Sequence, residues 1–136
     1  MLKIEHLDNH VFLTQFEDLS LNPVHFNHIG HIRIACIYLN KYTEAEAIKK
    51  VCTGIRAYAE SLGAKDKFNL TVTAMLVKVI ANRLKSCEAK TWEAFIASNQ
   101  DLATDAVGVL SQYITKERMM SDTAKVSYLA PDLKPI

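Results

Sequence analysis

The stretch from Phe26 to Leu39 constrains the fold more than any other: wound at about 100° per residue, it makes a helix that is apolar nearly all round. A helix of that kind belongs in a core. His28, His31, Ile32, Ala35, Cys36, Tyr38 and Leu39 cover one wide arc of it, and Gly30, Arg33, Asn40 and Lys41 the narrower remainder, so both histidines are expected to point inward. Asn22-Pro23 supplies a start signal, since Asn accepts the orphan N–H groups of a first turn and Pro is pre-set for the first helical position. The central helix is therefore expected over about residues 23–41, which places His25, His28 and His31 at successive i, i+3 steps.

A chain of 136 residues, 49% of them hydrophobic, is long enough to bury one sizeable core. We expect a single helical domain over residues 1–136, with an extended C-terminal tail at about residues 130–136. Sixteen basic residues against fifteen acidic ones leave a net charge of +1, and neither sign forms a run. That balance lacks the electrostatic footprint of a nucleic-acid-binding or anionic-membrane-binding protein, though it leaves room for a small local patch. The opening residues show no signal-peptide pattern and no apolar stretch is long enough to span a bilayer, so a soluble, cytoplasmic protein is expected. Cys36, Cys52 and Cys87 are odd in number and lack CxxC spacing, which suits reduced, packed thiols rather than a disulfide framework, a metal knuckle or a nucleophile.

Helix signals recur along the rest of the chain. Asp8 or Asn9 can cap a short helix through about Asp18. Thr43, with Glu46 at the capping-box position, precedes the stripe Ile48, Val51, Cys52, Ile55, Tyr58 and Leu62, which Gly63 ends as a left-handed cap. Gly54 inside that helix suggests a close crossing. Asn69 can cap a third long helix ending near Lys85, Thr91 one that carries Trp92 and Phe95, and Asp105 another through Leu110. Thr115 and Ser121 cap short turns before Pro131-Asp132-Leu133-Lys134-Pro135 forces extension. With no alternating strand, the fold class expected is all-α, an irregular single-domain bundle of about five to seven helices around the buried central one.

The pattern Phe26-x-His28-x-x-His31-Ile32-x-Ile34-Ala35-x-x-Tyr38-Leu39 is followed by Phe68-Asn69-Leu70-Thr71-Val72-Thr73. Then come Tyr113-x-Thr115-x-Glu117-Arg118-x-x-Ser121-x-x-Ala124 and Pro131-Asp132-Leu133-x-Pro135. Together these blocks resemble an uncharacterised family of small bacterial all-helical proteins across most of the chain after residue 22. In that family the second block more usually reads aromatic-His-Glu-Thr-x-Thr, so Asn69 and Leu70 stand where a histidine and a glutamate are common. The family form implies two histidines from one helix plus a histidine and a carboxylate from the next, a set able to bind a divalent metal. This chain keeps only His28 and His31 of that set, and the resemblance implies a helical fold rather than an activity.

His28 and His31 are the metal candidates by spacing, but two rings fall short of a site, which needs further ligands. His25, Asp66, or His6 with His10 are the candidates for a third. No cofactor is expected, and a divalent metal only if such a partner converges on the pair. The bland reading is that both rings are bonded core groups, with Asn69, Thr71, Thr73, Tyr38 or a buried water as partners. That same set, His28, His31, Asn69, Thr71, Thr73 and Tyr38, would line a pocket if the first and third long helices bring their N-terminal ends together. No Gly-rich phosphate loop, GxSxG elbow or HExxH spacing occurs. Arg33 and Arg118 offer cations for an anionic ligand, with a surface or tail-pinning role as the simpler reading of both, and Glu117, Arg118 and Asp132 are read as an ion-pair cluster docking the tail. Two functions stay open. One is a binding protein or enzyme for a small polar or anionic metabolite at His28 and His31; the other is a structural or protein-interaction module, with a homodimer among its forms.

Overall fold

Four side chains set the starts of the four longest helices by accepting a first-turn N–H. Asp8 accepts from Val11 at 2.8 Å ahead of α1 (Asn9–Glu17), and Asn27 from Gly30 at 3.0 Å ahead of α2 (His28–Lys41). Thr43 accepts from Glu46 at 3.3 Å ahead of α3 (Glu44–Ser61), and Asn69 from Val72 at 3.0 Å ahead of α4 (Leu70–Leu84). Five shorter helices follow: α5 (Trp92–Ser98), α6 (Gln100–Thr104), α7 (Ala106–Leu110), α8 (Lys116–Met119) and α9 (Asp122–Val126). The computed structural model describes residues 7–88 and 90–136; among them it shows nine α-helices, two 3₁₀ turns and no strand. The fold is therefore an all-α bundle. It has more helices than the five to seven expected because α6 to α9 have four or five residues each, too few to express a 3.6-residue period.

The core sits where α2 meets α3, α4 and α5, with α3 also packed along α4. Ile32, Ile34, Ala35 and Tyr38 of α2 are buried against Val51, Ile55 and Tyr58 of α3 and Met75, Val77 and Ile80 of α4. Leu62, expected in the α3 stripe, lies past the last helical turn and is exposed. Gly54 does mark a close approach: a Cβ there would stand 2.6 Å from Cε2 of Phe16, so α1 lays its ring on the bare α3 backbone. Phe16 stacks in turn on Phe26 at 5.1 Å, and Phe26 meets Tyr58 edge-on at 4.9 Å. Gly63 ends α3 at φ 70°, as expected.

Three expectations about the central helix need correction. It starts at His28 rather than at Pro23, because Asn22 caps only a 3₁₀ turn, Pro23–His25, and Asn27 then caps α2 afresh. His25 is therefore off the helix, and its carbonyl folds back to 2.6 Å from where a Cβ of Gly30 would be. That contact buries Gly30, which only glycine permits. Arg33 is buried, at 7% exposure. Its guanidinium lies 4.3 Å from the Phe12 ring centre and 4.6 Å from that of Trp92, and it donates to the Leu7 carbonyl and to Asn9 Oδ1. The two aromatic faces favour the buried cation, and the Glu93 and Asp8 carboxylates add Coulombic support. Finally, His28 is exposed and His31 half-buried, so the pair sits at the rim of the core rather than inside it.

Helix ends at Val126, a few residues before the expected tail. The tail is docked by hydrogen bonds instead of the expected ion pairs. The Thr115 amide and hydroxyl both donate to the Asp132 carboxylate at 2.8 Å, while Arg118 Nε donates to the Ala130 carbonyl at 2.9 Å. Thr115 therefore makes no side-chain cap on α8, and Glu117 lies outside the contact.

Candidate functional site

Two chain reversals, α2 to α3 and α3 to α4, return α4 beside α2 with the starts of both helices at one end. A cavity of about 240 Å³ forms there, closed from a third side by α7. His28 and His31 of α2 line it together with Lys67, Asn69 and Thr73, over a floor of Ala35, Val51, Ile55, Leu76 and Leu110. Four of the six pocket candidates are thus brought together. Lys67 escaped sequence reasoning; its only signal is its place two residues before the Asn69 cap, in the 3₁₀ turn Lys65–Lys67.

His31 Nδ1 lies 2.8 Å from the carbonyl oxygen of Asn27. That contact assigns the proton to Nδ1, which donates, and leaves Nε2 as an acceptor. The ring packs on Phe26, centroid to centroid 4.3 Å. Burial pulls the His31 pKa below its ordinary 6.5; the Asn27 carbonyl opposes this and nearby His28 adds to it. The ring is neutral at physiological pH. His28 Nε2 donates across 2.7 Å to the Leu102 carbonyl, tying α2 to α6 and leaving Nδ1 as its acceptor.

Asn69 contributes an edge to the cavity but both ends of its amide are committed. Oδ1 caps α4, and Nδ2 donates to the Met119 carbonyl at 2.9 Å. Thr71 and Tyr38 belong elsewhere. The fully buried Thr71 hydroxyl donates to the Ser127 carbonyl at 2.8 Å and accepts from the Leu129 amide at 3.0 Å, so it holds the tail. Tyr38 donates its hydroxyl to Glu17 at 2.8 Å, and burial raises its pKa. Both point away from the cavity because their partners lie across the fold, where local spacing carries no information.

The candidates for a third metal ligand do not converge on the histidines. His25 sits on its own 3₁₀ turn, while Asp66 and His10 line other hollows; His6 lies outside the described residues. Among the described residues no group of three or more His, Cys, Asp or Glu side chains is placed to hold a metal ion. Burial pushes the Cys36 and Cys52 thiols up to about 12 and about 11, which keeps them protonated and unreactive. No described helix is long and apolar enough to cross a membrane. No family model, curated protein or solved structure matches this chain.

Proposed function

We propose that this chain is a cytoplasmic protein that binds a small polar or anionic metabolite in the cavity at His28 and His31, without a resident metal ion. The observation that carries the reading is the cavity's composition: an apolar floor, a neutral histidine acceptor and the Lys67 side chain on its lining. Its volume falls below the ~300–1,000 Å³ of drug-sized pockets, which suits a compact ligand. A short carboxylate or phosphate bearing a hydroxyl has the matching groups, an anion for the Lys67 ammonium and an O–H donor for His31 Nε2. Among the described residues no thiol or carboxylate lines the cavity, so binding is better supported than covalent or acid–base catalysis by a carboxylate. Three free cysteines support the reducing compartment.

The likeness to the small bacterial helical family belongs to the same proposal. Where that family more usually carries a histidine and a glutamate, Asn69 commits its amide to the α4 cap and to Met119, leaving the histidine pair without a carboxylate ally. The competing reading, an interaction module or homodimer with bonded core histidines, draws on the two ring-to-carbonyl contacts, whereas the cavity beside them supports the binding reading.

Thermal denaturation across a library of small carboxylates and phosphates tests the proposal. A true ligand at 100 times its Kd adds about 2.7 kcal/mol and raises the wild-type Tm by several degrees. The shift should vanish in His31→Ala and shrink in Lys67→Ala, and elemental analysis should find no stoichiometric metal. If no compound stabilises the wild type, the interaction reading replaces this one.

A further inference from the structure

A second hollow, sharing only Phe68 with the histidine cavity, runs over α4 between α3 and the segment from α9 into the tail. It comprises two depressions of about 540 and 470 Å³ that share Leu70. Cys52, Leu70 and Ala74 contribute apolar floor, and Val126 and Tyr128 stand as an apolar wall. Val126 is 76% exposed, the most open of the large apolar side chains among the described residues, and Tyr128 beside it is 40% exposed. Two exposed apolar side chains thus stand beside an apolar floor inside a charged rim, the arrangement that association sites use.

The rim is one-sided in charge. Lys49, Arg56, Lys65, Lys78 and Lys125 line the two depressions, against Asp66 as the only acidic lining residue among the described ones. The whole chain carries a net charge of only +1, so this concentration of cations is local. Arg56 is partly neutralised by Glu60 at 3.2 Å, an exposed pair worth little. Lys78 stands 5.6 Å over the Tyr128 ring, and Lys125 reaches the Asp66 backbone carbonyl rather than a carboxylate.

We propose that this groove docks an acidic amphipathic helix of a partner protein. The lining positions follow α3 from Ala45 to beyond its end at Gly63, roughly 25 Å of helix axis or four to five turns. A helix satisfies its own backbone, whereas docking by β-strand addition needs a sheet edge, and the described residues offer none. Apolar residues at i, i+3, i+4 and i+7 fill the floor and meet Val126, and flanking carboxylates meet the lysines on both sides. A membrane surface would fit a convex face better than this concave one. A second copy of the chain would have to bring an acidic apolar face to it.

Display selection on the intact chain tests this. The probe is a library of helical peptides with a fixed apolar stripe and flanks randomised among Glu, Lys, Ser and Gln. Recovered peptides should be enriched in Glu on the flanks, and their binding should weaken with added salt. Fluorescence anisotropy should show about tenfold weaker binding for Val126→Asp, and for Lys49→Glu combined with Lys78→Glu. The latter should regain affinity for a Lys-flanked peptide, and unchanged melting would show that both variants keep the fold. Several results overturn the proposal: no peptide above background, flanks without acidic bias, or binding indifferent to both variants. So would self-association of the chain abolished by Val126→Asp, or capture by phosphatidylserine vesicles lost in the same variants, each of which assigns the groove another occupant.

Discussion

A histidine that gives one ring nitrogen to a backbone carbonyl has its tautomer fixed, and what it then does depends on where the other nitrogen looks. His31 donates from Nδ1 to Asn27 and keeps Nε2 as an acceptor at a largely apolar cavity, where a charged ring is disfavoured. This depression of its pKa has a consequence for stability. Below pH 6.5 the unfolded chain takes up a proton that the folded ring resists, so stability present above 6.5 is lost as pH falls towards the folded value. Urea titrations between pH 8 and pH 5 should therefore show a shallower decline for His31→Gln than for wild type. Equal slopes would mean that His31 titrates alike in both states. Burial lowers the Arg33 pKa too, but the Glu93 and Asp8 carboxylates oppose it, Phe12 and Trp92 offer their ring faces, and two oxygens accept its N–H groups.

At the scale of elements, α2 is the helix whose burial the bundle needs. Ile32 has no exposed surface, while Leu39 is only partly buried. Ile32→Ala should cost about 2–5 kcal/mol in denaturant titrations, and Leu39→Ala distinctly less; a loss below about 0.5 kcal/mol for Ile32→Ala, the size of a surface change, would show α2 to be peripheral. What the sequence makes legible here is capping, because its chemistry is complete within four residues. Asp8, Thr43, Asn69, Thr91 and Ser121 all accept the bonds their positions suggest. The start of α2 is less legible, since Asn22 and Asn27 both satisfy the rule, and the chain turns between them to bring the His25 carbonyl against Gly30. Arg33, Tyr38 and Thr71 are illegible for a related reason. Their partners come from α1, the chain just before it, α5 and the tail, distances along the sequence over which helical spacing says nothing.

For the molecule as a whole, the cavity is a product of topology: α2 and α4 run alongside each other because α3 lies between them in the chain, and α7 closes the space that their first turns leave. The groove over α4 is a separate surface with its own chemistry, so a ligand in one need not disturb the other. That separation makes the account testable in a single measurement. Methyl-labelled protein titrated with short hydroxy-carboxylates and with small phosphates should give shifts confined to the methyl groups that line the cavity, among them Ala35, Val51, Ile55, Thr73, Leu76 and Leu110, with the His31 ring nitrogens moving in step. Silence at these positions for every compound, or shifts confined to Val126 and its neighbours, would contradict a metabolite site at the histidine pair.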